Sequence, residues 1–558
     1  MRSWAAAVSR QRRWWVTLGV AVLLGQMAAV MITTAVQQTP TTDEPVYVGT
    51  AAVYLQKHSL QFNPEHPPLG KLIIGAGVAA VHPRLDPGFV GDQWALGHSV
   101  LYETGNDPWR LMLAARLPVI LLTLLFGLVV FAFAAEVAGA LGGLLALSMY
   151  AFSPDVIAHG SLATLDVPTA GFLLTACWLA WRARRGAYPV RAAVLAGLAL
   201  GAALATKMSA LPAVPVVLAL IGFAVVPARE TSAQGETPVP GETPPVGRLD
   251  RWRRPALITA GAGLVAVAVV WVSYLLVNPT LRWTQPIGMP DLHGAQALAA
   301  NLLPFPEPYR DGLRIQFGFA DVDFDGFLFG DLYRGSRWYY LPAALLVKMP
   351  LGMMALWVAG AVTMLAVRRL RPAAAYLLVP AGVLLAGAMT GTRDFGARYA
   401  IAVPIFLAVV TGAVVQARRP WRWLALPLAL FVAVSSVRTF PYYLPYANEA
   451  FGGPARTYRY LHDSNVDWGQ DLGRLADRLR TRYAGERIWL VYKGNGDPAY
   501  YGIDASDPLA VPSARVHGIV AISDSWIDKS RPGSRLRQLI DTSRPIDSVG
   551  HAITIFRR

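Results

Sequence analysis

"WWVTLGVAVLLGQMAAVMITTAV", Trp14 to Val36, runs for 23 residues without a charged side chain. About 20 consecutive apolar residues cross a bilayer as a helix, so this stretch predicts a membrane span. Arg10, Arg12 and Arg13 precede it as basic residues precede a secretory signal. The run is longer than the core of such a signal, roughly 7 to 15 residues, and no small-residue cleavage site follows it. It is therefore expected to stay in the chain as a first span.

The rest of the chain repeats the pattern. Apolar runs near spanning length fall at about 111–135, 137–152, 167–181, 190–206, 210–227, 255–277, 341–367, 372–390, 397–416 and 421–438, which with the first makes eleven crossings. Of the 558 residues 54% are hydrophobic and 15% charged, and the mean hydropathy is +0.39. An integral membrane protein, mainly α and polytopic, is the reading. The loops "RQRRWW", "WRARRGAYPVR", "RLDRWRR", "VRRLRP" and "ARRPWR" all fall on one side under the eleven-span scheme. Lysine and arginine near span ends collect on the cytoplasmic side, which puts the amino terminus inside and the carboxyl terminus outside. Most of the +15 net charge is thereby spent on orientation and lipid headgroups, and no nucleic-acid partner is expected. The single cysteine, Cys177, lies in an apolar stretch and is read as buried and inert.

Two substantial loops, 37–110 and 278–340, face outward in this scheme, and the cytoplasmic stretch 228–254, rich in proline, glycine and threonine, reads as a flexible linker. The organisation expected is a transmembrane part over 1–440 and a small extracytoplasmic α/β domain over 441–558. In that tail "DLGRLADRLRTRYAG" has Leu472, Leu475 and Leu479 on one helical face, and "RIWLVY", "VHGIVAIS" and "HAITIFRR" read as strands.

"TTDEPVYVG", Thr41 to Gly49, follows the first span and brings two adjacent carboxylates, Asp43 and Glu44. They can start a helix, with a carboxylate at its amino terminus and Pro45 at the first helical position. A carboxylate at the membrane surface can also take a proton from a substrate hydroxyl. Asp155 and Asp166 belong to a second acidic loop, "SPDVIAHGSLATLDVPT", and Asp166 stands at a span boundary, where an ionisable group is costly unless paired or functional. "EHPPLGK" fixes His66 and Lys71 at a set separation through its two prolines. Lys71, Lys348 inside "WYYLPAALLVKMPL", and Arg393 and Arg398 in "GTRDFGARYAIAVP" are candidate phosphate-binding cations. "DSNVDWGQDL" is no calcium loop, since its sixth position is Trp468 where glycine is required and its twelfth is Arg474 where glutamate is. Asp467 and Trp468 are read there as a helix cap or as acceptor-binding residues.

The Asp-Glu pair, "HPPLGK" and "LDVP" resemble the protein O-mannosyltransferases and, more broadly, the lipid-carrier-dependent glycosyltransferases of the C-type superfamily. "PEPYRDGL", "WYYLPAALLVKMPL" and "YRYLHDSNVDWGQDL" resemble a prokaryotic branch of glycosyltransferase family 39. The resemblance implies C-type architecture and an inverting transfer of a sugar, mannose first, from a polyprenyl-phosphate donor to a hydroxyl on an acceptor protein or glycan. It makes Asp43 the matching position for a catalytic base, with Glu44 beside it, Asp166 the second acidic position, and His66 and Lys71 donor-phosphate residues. The phosphate role of Lys348, Arg393 and Arg398 is a physical inference. No cofactor is required in this reading and no metal site is assigned, although some relatives hold a divalent ion, Mg or Mn, which Asp43, Glu44 and Asp166 are placed to bind. The loop 278–340 is too short for the β-trefoil module of the eukaryotic enzymes, which puts a protein acceptor in question. The competing readings are a transporter or flippase of a lipid-linked or anionic solute, which predicts internal repeats that the sequence lacks, and a noncatalytic receptor.

Overall fold

The computed structural model of the chain describes residues 2–226, 250–319 and 322–558, so the linker reading falls mostly outside the described residues. Helix α1 is Arg2–Gln37, α2 is Glu44–Lys57 and α3 is Pro68–Ala80. Among the described residues six helices are long and apolar enough to cross a membrane: Arg13–Gln37 of α1, Pro108–Ala138, Pro189–Thr206, Trp252–Val277, Arg371–Met389 and Trp421–Thr439. Two bent pairs, Ala140–Ala151 with Pro154–Gly160 and Tyr340–Lys348 with Leu351–Ala366, raise this to eight if each is one span. The remaining expected runs are the helix Asp166–Arg185 and the shorter apolar helices Ala213–Val225 and Ala402–Gln416. Each of the eleven expected runs is thus a helix or a broken pair, but fewer than eleven meet the length and apolarity of a full span.

The breaks have a local cause. A residue before proline is pushed out of the helical region, and Ser153 before Pro154 and Met349 before Pro350 both take extended backbone. The second pair turns by 115° there. Close helix contact has a sequence cause too, since a Cβ on Gly197 would stand 2.4 Å from the Ala262 carbonyl oxygen. Only a small residue allows two helices to approach so closely.

After the last long helix, residues 441–471 bond back to the helical part: the Asn448 amide donates to the carbonyls of Leu346 (2.7 Å) and Met349 (2.9 Å). The helix Leu472–Arg482 then covers one face of a five-stranded sheet. Its strands are β3 (Ile488–Val491), β4 (Ala505–Ser506), β5 (Ile519–Ser523), β6 (Arg544–Val549) and β7 (Ile553–Arg557), in the order β4-β3-β5-β7-β6. Strands β3, β4 and β5 pair in parallel, and β7 is antiparallel to β5 and β6. Leu472, Leu475 and Leu479 pack against Ile519, Ala521 and Ile555 on that face, while Trp489, Val520 and Phe556 pack with Leu539 on the other. A second small sheet, the hairpin β1 (Asp325–Leu328) and β2 (Asp331–Arg334), stands in the 278–340 loop. Sequence did not show this hairpin, nor β6, whose alternation is broken by Pro545 and a bulge.

Candidate active site

Asp43 is the residue before α2, and its carboxylate makes no capping bond to that helix. It accepts instead from Arg398, Oδ2 to Nη1 at 2.7 Å. The same Nη1 lies 3.8 Å from Oδ2 of Asp166, the first residue of the helix Asp166–Arg185. Asp166 accepts from Lys207 Nζ at 2.5 Å. Four side chains from four distant parts of the sequence thus alternate in charge as Asp43, Arg398, Asp166, Lys207. Of these Asp43 is the most open, its side chain 21% exposed against 5% for Asp166 and 8% for Arg398. A carboxylate with one oxygen held by a guanidinium and an edge open to solvent can receive a hydroxyl proton.

A second group of side chains lies beside this chain. His66 stacks edge-on against Tyr47 at 5.8 Å, and its Nδ1 is buried without a partner. Burial first, then the charges of Lys207, Lys71, Arg393 and Arg398, hold its pKa well below the usual imidazole value, so the ring is neutral. Arg393 donates to Gln316 Oε1 (2.9 Å), lies over the Phe319 ring at 4.5 Å, and has no carboxylate in ion-pair range among the described residues. Gln316 in turn donates to the Glu65 carbonyl oxygen at 3.0 Å, which ties Arg393 to the His66 loop. A guanidinium with no carboxylate partner, near a neutral imidazole, suits a phosphate.

Several residues expected at the site are placed elsewhere by their bonds. Glu44 is fully buried: it accepts twice from Arg116 (2.8 and 2.7 Å) and from the backbone N–H groups of Ala163 and Thr41, both at 2.8 Å. Burial raises its pKa, but Arg116 and these N–H groups outweigh burial and keep it ionised. Its role is to brace the turn that carries Asp43. Lys71 donates to the carbonyls of Asn63 and His66, both at 2.7 Å, and to the Asn63 side chain, so it closes the "NPEHPPLGK" loop on itself. Burial lowers its pKa to about 7. Lys348 is equally buried, 3.2 Å from Asp155 and donating to the carbonyls of Leu444 and Asn465. Lys71 makes three hydrogen bonds within the protein and Lys348 makes two beside its ion pair, so both are engaged away from Asp43 and Arg398.

Trp468 and Asp467, expected to bind the acceptor, are 2% and 0% exposed and present no surface to one. Asp43, Glu44 and Asp166 are each already paired with a cation, Arg398, Arg116 and Lys207 respectively. Among the described residues no group of three metal-binding side chains converges.

Asp467 carries a testable consequence. Burial raises its pKa to about 7, and its Oδ2 has no partner. The unfolded chain ionises this carboxyl near about 3.9. Stability is therefore lost as pH rises between those values and is flat above them. Asp467→Asn keeps the acceptor for the Gly469 N–H, and it should raise the melting temperature at pH 8 with the advantage gone at pH 4. An equal effect at both pH values would contradict the assignment.

Lys207, Gln316 and Tyr399, whose ring lies beneath both Lys207 and Arg398, were not among the expected residues. Lys207 had a signal: it ends an apolar run in "LATKMSALP", and the carboxyl end of a helix favours a cation.

Residues 20–229, under half of the chain, match the model of the family described as dolichyl-phosphate-mannose-protein mannosyltransferase. That segment contains Asp43, His66, Asp166 and Lys207. No curated protein matches the chain by sequence. Among solved structures, ArnT from Cupriavidus metallidurans in the apo state is 15% identical, with 98% of each chain covered and a TM-score of 0.49. ArnT bound to undecaprenyl phosphate gives 14%, 97% of each chain and 0.45. The oligosaccharyltransferase AglB from Archaeoglobus fulgidus, in complex with an inhibitory peptide and a dolichol-phosphate, gives 12%, with 92% of this chain and 70% of that one covered and a TM-score of 0.47.

Residues 20–229 are thus similar to a family of lipid-linked-donor mannosyltransferases, and the long apolar helices are those of a multi-pass membrane protein.

Proposed function

We propose that the protein transfers mannose from a polyprenyl-phosphate donor to a hydroxyl of a protein or glycan acceptor, with inversion, on the outer face of the cell membrane. The observation that carries this reading is the open Asp43 carboxylate, 2.7 Å from Arg398, whose charge acts with that of Arg393 on the neighbouring His66. Mannose is the sugar named in the family description. Asp43 takes the proton of the acceptor hydroxyl as its oxygen attacks the anomeric carbon, and the bond from that carbon to the phosphate oxygen breaks. A single displacement inverts the centre. The leaving phosphate gains one negative charge, and fixed cations aimed at the departing oxygen are worth most at that moment. Arg393 and Arg398 are the groups assigned to it. The excess of arginine on the other face supports the outward orientation.

The test supplies full-length protein in right-side-out and inverted vesicles with polyprenyl-phosphate mannose, polyprenyl-phosphate donors carrying other sugars, and a nucleotide sugar, with acceptors added outside. Mannosyl product of inverted configuration and release of polyprenyl phosphate, in right-side-out vesicles only, is the expected result. Transfer from the nucleotide sugar alone would overturn the donor class, and preference for another lipid-linked sugar would overturn mannose.

A further inference from the structure

Trp468 touches both halves of the charge chain. Its ring lies 4.1 Å beneath the Arg398 guanidinium, and its backbone carbonyl accepts from Thr42, from the backbone N–H at 2.8 Å and the hydroxyl at 3.1 Å. Thr42 is the residue before Asp43. One residue therefore sits under the guanidinium and anchors the turn that carries the carboxylate. The segment around it holds the other side of Arg398 as well: Ser464 donates from its hydroxyl (2.6 Å) and its N–H (3.1 Å) to the Phe395 carbonyl, and Asn465 Oδ1 accepts from Ala397 N–H at 2.9 Å. The terminal domain joins in, since Asn495 Nδ2 donates to the Thr42 carbonyl at 2.8 Å and Lys493 pairs with Asp463.

We propose that Trp468 is a positioning residue, which fixes the Arg398 guanidinium against Asp43 and makes the active geometry depend on the segment 462–471 and the domain that follows it. The proposal rests on the reading of Asp43 and Arg398 as the transfer machinery. A desolvated guanidinium is attracted to the face of an aromatic ring, tryptophan best and phenylalanine less. Removing the ring lets Arg398 adopt other rotamers, and a displacement of about 1 Å at a reacting centre lowers rate by about 100-fold. Binding of the lipid-borne donor does not use the indole, which is buried.

The test measures kcat, KM for donor and acceptor, and melting temperature on full-length protein in nanodiscs for wild type, Trp468→Leu, Trp468→Met, Trp468→Phe and Asp43→Asn. Trp468→Leu and Trp468→Met should lower kcat about 10–100-fold with both KM values within about twofold, and Trp468→Phe should recover most of the loss. Methionine fills much of the space without a π face, so it carries the expectation should the leucine variant fail to fold. Wild-type kcat in Trp468→Met while Asp43→Asn is inactive would overturn the proposal and leave the transfer reading intact. A raised acceptor KM at unchanged kcat would overturn it in favour of acceptor binding, and equal losses in Phe and Met would reduce Trp468 to packing. Full activity of Asp43→Asn would instead remove the reading on which it rests.

Discussion

Asp43→Asn should lower kcat about 100- to 10,000-fold, the range that a positioned general base contributes, with KM for donor and acceptor little changed. Asp166 is closed off by Lys207 and Glu44 by Arg116, so of the three carboxylates only Asp43 combines an open edge with a fixed orientation. Asparagine has the same shape and still accepts from Arg398, so the fold around it should persist and the loss should read on chemistry. Steady-state kinetics with the lipid-linked donor check this. A loss under about tenfold would assign the proton to another group.

Glu44→Ala should cost about 3–5 kcal/mol of stability, the penalty for stranding one partner of a buried ion pair. Arg116 is 1% exposed and all of its donors are used: Nε and Nη2 on Glu44, Nη1 on the carbonyls of Ala35 and Gln38, and Nη2 also on that of Thr39. These bonds weld the end of α1, the start of α2 and the helix Pro108–Ala138 into one joint. Without Glu44 the guanidinium keeps its carbonyls but loses its counter-charge where water cannot replace it. Unfolding in detergent measures the loss, and a change under about 1 kcal/mol would mean the pair is solvated.

The positions of apolar runs were legible because a span must satisfy its own backbone and so declares itself by length and composition. Asp43, Asp166 and Arg398 were legible for the converse reason, as ionisable groups at span ends that demand a partner or a task. Which of the two applied was not. Glu44 sits beside Asp43 in the chain and opposite it in environment, because successive residues at a helix start point in different directions and only one of them meets Arg116. Lys71 and Lys348 look in sequence like phosphate cations, yet both are consumed by backbone carbonyls whose proximity is tertiary. Arg116 carried a signal in sequence, as an arginine within an apolar run, and Gln316 carried none. Trp468 was legible as a special residue in "DSNVDWGQDL", but its burial beneath Arg398 arises from the return of the tail onto the first loop.

On the proposed mechanism Asp43 and Arg398 act as one unit in the transfer step. A double-mutant cycle on kcat, with Asp43→Asn, Arg398→Gln and the double variant, addresses it directly. Groups that act together give losses that do not add, so the double variant should be within about threefold of the slower single variant. Losses that multiply across the two positions would show two independent groups and contradict the account.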